Sequence, residues 1–340
     1  MTVSGADLEF MNAALSLAAR NLGDTWPNPS VGCVIVKDGV VIGRGWTQGG
    51  GRPHAETEAL ARAGGSARGA TVYVTLEPCS HHGKTPPCAE ALIAAGVTRV
   101  VIAATDTDPR VSGKGIALLK AAGIAVDEGV QKAAAQALNA GFFLKIGQKR
   151  PLFCLKTATT LDGRIALANG KSQWITSETA RRAAHALRAR YDAILVGSGT
   201  ALADDPMLTC RLEGYSGRPK VRVVLDRRGR LPKTSKLATT AKDIPTWVLT
   251  QASIEEAVAD LAERGLTRVL IEGGAGAAAA FLKAGFIDEV AWFRSSSIIG
   301  GDGQGALAPL GLTDMGALPG FARQQTLVFG PDTLDILRRA

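Results

Sequence analysis

Aromatic residues are scarce in this chain, at 5% of 340 residues, and no five basic residues stand in a row, so a net charge of +8 does not by itself describe a nucleic-acid surface. Uninterrupted apolar runs of about 18 residues are also missing, which argues against a membrane-spanning helix. The opening stretch "MTVSGADLEFMNAALSLAARNLGD" carries Asp7 and Glu9 and has no basic n-region. It therefore does not read as a signal peptide, and the expected address is the cytoplasm. What the positive charge does suit is a phosphorylated small molecule, although a basic surface that aids solubility gives the same net value.

The length predicts two domains, and a 46% hydrophobic composition is enough for a sizeable core in each. Leu8, Met11, Leu15, Ala18 and Leu22 fall at helical spacing, so the chain is expected to begin with a surface helix. "VGCVIVKDGVVIGRGW" reads as a hairpin turning at Asp38-Gly39. After it, strands "TVYVTL", "RVVIAAT" and "IAVDEG" alternate with helices "HAETEALARAGG", "CAEALIAAG" and "GIALLKAAG". One further helical stretch, "VQKAAAQALNAGFFLKI", runs into "GQKRP", whose Gly and Pro mark a linker. The boundary is placed so that the domains span 1–147 and 148–340. The second half repeats the alternation through strands "LFCLKTATT", "AILVGS", "VRVVLD", "TWVLT", "RVLIEGG" and "EVAWFRS", so both halves are α/β.

Chemistry concentrates in "PCSHHGKTPPC", which holds two of the five cysteines and two of the four histidines. Cys33 and Cys154 sit in apolar strands and read as core, and Cys210 has no obvious partner. Cys79 and Cys88 are different, because in a reducing compartment a close pair is more often a metal or catalytic feature than a disulfide. Upstream, "PHAE" places His54 and Glu56 at the start of a helix. One histidine and two thiolates give a catalytic zinc three protein ligands and leave a position for water. Glu56 is then the non-ligand carboxylate that carries protons. H-x-E followed by P-C-x-x-C is the signature of zinc deaminases, and the wider cysteine spacing departs from it. The competing reading is a closed structural site in which His81 or His82 joins the cysteines and the polar residues merely start a helix.

The stretches "WPNPSVGCVIVKDG", "PHAE", "VTLEPCSHHGKTPPC", "LKTATTLDGRIA", "SQWIT", "LADDPMLTCR" and "IEGG" follow one another in an order that resembles the bifunctional riboflavin-biosynthesis deaminase/reductases. The resemblance implies a cytidine-deaminase-like three-layer domain followed by a dihydrofolate-reductase-like one. It implies zinc-dependent deamination of a diaminopyrimidinone ribosylamino 5′-phosphate, then NADPH reduction of the ribosyl chain to ribityl, and a homo-oligomer. By matching positions, His54, Cys79 and Cys88 hold zinc and Glu56 moves the proton. Asn28, His81, Lys84 and Asp106 would contact the first substrate. Lys156, Ser172, Arg188, Leu208, Arg211 and Glu272 would contact the second, and Ala158, Trp174, Thr200, Asp204, Gly274 and Gly276 would meet NADPH.

Three positions depart from the family's pattern. Thr47 stands where relatives commonly carry histidine, Asp108 is an acid where they have asparagine, and Arg227 follows Asp226 where they often have serine. A guanidinium at Arg227 is expected to favour the 2′-phosphate of NADPH. Arg188 and Arg211 suit bidentate phosphate recognition. The glycines after "RVLIE" loosely match a dinucleotide fingerprint but lie late in their domain without an acidic partner, so a Rossmann fold is rejected. Two other functions compete: a nucleic-acid-editing deaminase with an RNA-binding second half, and a deaminase whose second half only binds. Against the first stand the long cysteine spacing and the scarce aromatics.

Overall fold

Ser4 and Asp7 cap each other at the start of helix α1 (Gly5–Ala18): Asp7 N–H donates to Ser4 Oγ at 3.1 Å and Ser4 N–H to Asp7 Oδ2 at 3.0 Å. The Asp7 carboxylate also accepts from Tyr73 Oη at 2.8 Å and from Arg99 at 2.7 Å. Arg99 foremost holds it well below the usual carboxylate range. This tertiary ion pair rotates the helix from the expected face. Asp7, Met11, Ala14, Leu17 and Ala18 are buried, whereas Leu8 is 41% exposed.

The structure, a computed structural model, describes residues 3–82, 86–108 and 112–340, and the chain divides into two units, Met1–Gln148 and Lys149–Ala340. In the first, β1 (Gly32–Lys37) and β2 (Val40–Trp46) form the expected hairpin, with positive φ at Asp38 and Gly39 as its tight turn requires. Then come α2 (Ala55–Ala63), β3 (Thr71–Leu76), α3 (Cys88–Ala94), β4 (Arg99–Ala104), α4 (Lys114–Ala121) and β5 (Ala125–Glu128). The sheet order is β2-β1-β3-β4-β5, antiparallel around β1 and parallel from β3 to β5.

Two glycines show where the helices lie. A Cβ on Gly32 would come within 1.9 Å of the Ala14 carbonyl oxygen in α1, and one on Gly45 within 2.1 Å of the Ala55 carbonyl oxygen in α2. Gly45 pairs with Cys33, the neighbour of Gly32, so the two glycines face opposite sides of the sheet. Helices α1 and α2 therefore sandwich it, giving the expected three layers. The helical stretch before the linker is broken into α5 (Lys132–Leu138) and α6 (Ala140–Gln148). At the break, Asn139 accepts from Ser30 N–H at 2.8 Å and donates to Ser30 O at 2.9 Å. Helical periodicity carries no trace of such a tie.

The second unit contains β6 (Leu152–Thr159), β7 (Arg164–Ala166), α7 (Glu178–Ala189), β8 (Ala193–Gly197), α8 (Ser198–Asp204), β9 (Val221–Leu225) and α9 (Lys236–Thr239). It continues with β10 (Thr246–Leu249), α10 (Ile254–Glu263), β11 (Arg268–Ile271), α11 (Ala275–Lys283), β12 (Ile287–Arg294), β13 (Gln304–Gly305), β14 (Phe321–Phe329) and β15 (Asp332–Arg339). Eight strands order as β10-β9-β8-β11-β6-β12-β15-β14. They run parallel from β10 to β12 and antiparallel through the terminal hairpin. Parallel strands covered by helices read as continuous apolar runs, which is why they were legible. The hairpin alternates less cleanly because β14 is an edge, exposed along most of its length. Arg222, inside an apparently apolar strand, is wholly buried, its guanidinium donating to Met207 O, Leu237 O, Ile244 O and the hydroxyls of Thr240 and Thr246. Among the described residues no helix is long and apolar enough to cross a membrane.

Candidate active sites

Three element ends converge in the first unit. His54 is the residue before α2, Cys79 follows β3 and Pro78, and Cys88 is the first residue of α3. His54 Nδ1 lies 3.3 Å from Cys88 Sγ and 3.7 Å from Cys79 Sγ, and Cys88 N–H donates to Cys79 Sγ at 3.3 Å. The ligand atoms all lie within 4.8 Å of one another. Around a tetrahedral zinc with bonds of ~2.0–2.3 Å, ligand atoms stand ~3.5 Å apart, so this donor set fits the ion. His54 makes no side-chain capping bond to its helix, which leaves the ring for a metal.

Electrostatics agree with that use. The hydrogen bond from the Cys88 thiol, outweighing burial and helped by His54, brings Cys79 down to about 4, toward the thiolate a metal needs. Glu56, 4% exposed in the first turn of α2, is pushed up to about 7 by burial. A carboxyl poised there exchanges protons near neutrality. His82 pairs with Glu90 at 3.4 Å instead of joining the cysteines, and among the described residues no fourth ligand completes the group. The closed structural site is therefore disfavoured.

The surrounding expectations fare differently. Asn28 packs against Gly51 in the turn that leads to His54, where a Cβ would lie 1.9 Å from its Nδ2. Asp106 is buried and accepts from Asp108 N–H at 2.8 Å. His81 keeps Nδ1 buried, with no hydrogen-bond partner among the described residues. Lys84 lies outside the described residues. Thr47 accepts from Val31 N–H at 2.9 Å, so its hydroxyl anchors a loop. Sequence reasoning passed over Glu77, a buried carboxylate just before Pro78-Cys79.

The second unit gathers a denser set of charges. Glu272, at the end of β11, receives Arg188 of α7 bidentately at 2.6 and 2.9 Å and has Lys156 of β6 at 3.8 Å. Burial alone would raise Glu272, but these two cations bring it down to about 2. Arg188 Nη1 donates to Thr209 O at 2.7 Å, so its fork is spent on protein, contrary to the expectation that it grips phosphate. Arg211 is exposed, with Thr209 Oγ1 at 3.4 Å, and fits that task better. Leu208 has φ 48° and a side chain in a buried apolar cluster, so it offers a ligand only backbone.

His185 was missed, although it stands one helical turn before Arg188. Its Nδ1 accepts from Arg211 N–H at 3.1 Å. Burial, then Arg188 and Arg211, lowers it to about 4, so the ring is neutral at physiological pH. At the other end of the site Thr200 Oγ1 accepts from Gly274 N–H at 2.8 Å, joining α8 to the start of α11. Gly276 faces open space where a Cβ would project. Trp174 is 68% exposed, with Arg181 stacked 4.5 Å from its ring centroid, so it is not core. Ala158 and Ser172 are half-buried and Asp204 exposed. Arg227 is exposed in the turn after β9, whereas Arg230 donates to Ser198 Oγ at 2.7 Å.

A His-Cys-Cys centre beside a buried glutamate, carried on a three-layer α/β sandwich, places the first unit among the zinc-dependent nucleobase and nucleoside deaminases. Residues 4–104 match the cytidine and deoxycytidylate deaminase zinc-binding region, and residues 151–334 match the RibD C-terminal domain. The riboflavin biosynthesis protein RibD of Aquifex aeolicus is 42% identical, the match covering 86% of this chain and 88% of that protein. RibD of Escherichia coli is 40% identical over 96% and 97%. The solved structure of Acinetobacter baumannii RibD superposes with a TM-score of 0.91 at 39% identity, covering 98% of this chain and 99% of that one. A deaminase/reductase from Thermotoga maritima gives 0.89 at 38% identity over the same shares. This chain belongs to the RibD family of bifunctional riboflavin-biosynthesis enzymes.

Proposed function

We infer that the chain catalyses two consecutive reactions on one phosphorylated pyrimidine: hydrolysis of the 2-amino group of 2,5-diamino-6-ribosylamino-4(3H)-pyrimidinone 5′-phosphate, then NADPH reduction of its ribosyl chain to ribityl. The observation that carries the first is the open three-ligand group with Glu56 beside it. Zinc, when bound, lowers the pKa of water towards ~7. Glu56 accepts the proton released by the attacking water and returns it to the departing nitrogen, so that a C–O bond replaces the C–N bond and ammonia leaves. Cys79 and Cys88 stay fixed because Pro78 and the first turn of α3 hold their backbones. Asn28, His81, Lys84 and Asp106 are assigned to the pyrimidine and its phosphate.

The second reaction is assigned to residues 148–340. NADPH, when bound, supplies the hydride. Thr200, Gly274 and Gly276 shape the cofactor's cradle, with Ala158, Trp174, Asp204 and Arg227 assigned to its rim. Glu272, fixed as an anion by Arg188 and Lys156, orients the sugar hydroxyls, and Arg211 with Ser172 and the Leu208 backbone meets the substrate. A cytoplasmic, self-associating enzyme is the expected form, and the exposed edge of β14 supports association.

The test is a two-stage assay on purified protein, following ammonia release and then loss of reduced nicotinamide absorbance, with product masses. Ammonia followed by NADPH oxidation supports both assignments. Ammonia without oxidation would demote residues 148–340 to a binding role.

A further inference from the structure

Glu77 is 3% exposed, stands at the end of β3 next but one to Cys79, and lies outside the His54-Cys79-Cys88 group. Its Oε2 accepts from Asp106 N–H at 3.2 Å and Gly113 N–H at 3.0 Å. Its Oε1 accepts from Gly115 N–H at 3.0 Å and Ile116 N–H at 3.3 Å. Helix α4 follows Gly113, a cap residue with no side chain to satisfy the first N–H groups, so Glu77 caps it from another strand. The approach is close: a Cβ on Gly115 would lie 2.0 Å from the Pro78 carbonyl oxygen and 3.3 Å from Glu77 Oε1. One side chain thus fastens three things at once: the strand end that delivers Cys79, the start of α4, and the backbone of Asp106, whose carboxylate in turn receives Asp108 N–H.

We propose that Glu77 is a positioning residue for the deaminase, setting the Asp106–Asp108 segment in register with the metal-ligand loop so that substrate is held against the zinc centre. This rests on the assignment of Asp106 to the substrate. Glutamine in place of Glu77 keeps the shape but turns one oxygen into a donor, so two of the four N–H groups face another N–H and the clamp opens on one side.

The experiment uses the full chain, in which the reductase serves as an internal control. In Glu77→Gln, the deaminase KM is expected to rise about tenfold or more while kcat stays within about threefold, as loss of uniform binding predicts. Zinc content and NADPH oxidation on deaminated substrate should match the parent. A lower Tm with both kinetic constants preserved would overturn the proposal, leaving a structural cap. So would loss of zinc, which would confine Glu77 to the metal loop, or a fall in kcat at constant KM. Should Glu77→Gln fail to fold, Glu77→Asp, which keeps the charge on a shorter side chain, decides alone. If the parent itself releases no ammonia, the deaminase assignment falls, a result distinguishable from unchanged variants of an active parent.

Discussion

In each half of the molecule one glutamate at the site has its acidity shifted, and the two are driven in opposite directions. Glu56 is desolvated and rises to about 7, whereas Glu272, half-buried, sits between Arg188 and Lys156 and falls to about 2. Burial raises both, and the difference is the company of two cations. The first is a group that can gain and lose a proton at working pH, as hydrolysis demands. The second is a permanent anion, suited to orienting a hydroxyl-rich chain while another molecule delivers hydride. Two chemistries are thus written with one side chain by changing its neighbours.

The sharpest way to break this comparison is Glu56→Gln. It should lower ammonia release by about 10³-fold or more while NADPH oxidation on supplied deaminated substrate is unaffected. Equal losses in both activities would mean that Glu56 supports the fold. Glu272→Gln comes next: removing the anion leaves Arg188 and Lys156 uncompensated, at a cost of roughly 3–5 kcal/mol in urea unfolding and of reductase activity, with the deaminase intact.

Acid titration tests the same contrast without mutation. Because the folded value of Glu272 lies below its ordinary 4.5, its stabilisation is fully present above about 4.5 and is lost as pH falls through about 2. The contribution is about 3 kcal/mol, and in Glu272→Gln the acid limb of the stability curve should flatten by about that amount. The smallest expected effect concerns cofactor choice. Arg227→Ala and Arg230→Ala are compared by kcat/KM for NADPH against NADH, with a loss of preference of about tenfold expected. A change in Arg230→Ala alone would move the discrimination to the cation anchored on α8, and no change in either would dismiss both.

How much of this was legible follows from where each site is kept. The metal ligands come from short contiguous motifs, each at an element end, so residue type and spacing exposed them. The reductase site is assembled by tertiary contact between α7, β6, β11 and the loop at Thr209–Arg211, and a sequence shows the charges there without their pairing. That is why Arg188 read as a phosphate ligand although its fork closes on Glu272. His185 was hidden for the same reason. The fold itself was plain in its buried parallel strands. It was obscured where one polar contact overrides a periodic pattern, as Asp7 does in α1 and Asn139 between α5 and α6.

Arg222 carries a consequence for anyone who mutates this chain at random. A guanidinium wholly enclosed and satisfied by neutral oxygens in several directions leaves no substitute, since lysine reaches fewer of them and an apolar residue strands them all. A survival screen would therefore score position 222 as intolerant as position 56. Indispensability in such a screen marks the interior of the second unit as readily as it marks chemistry in the first.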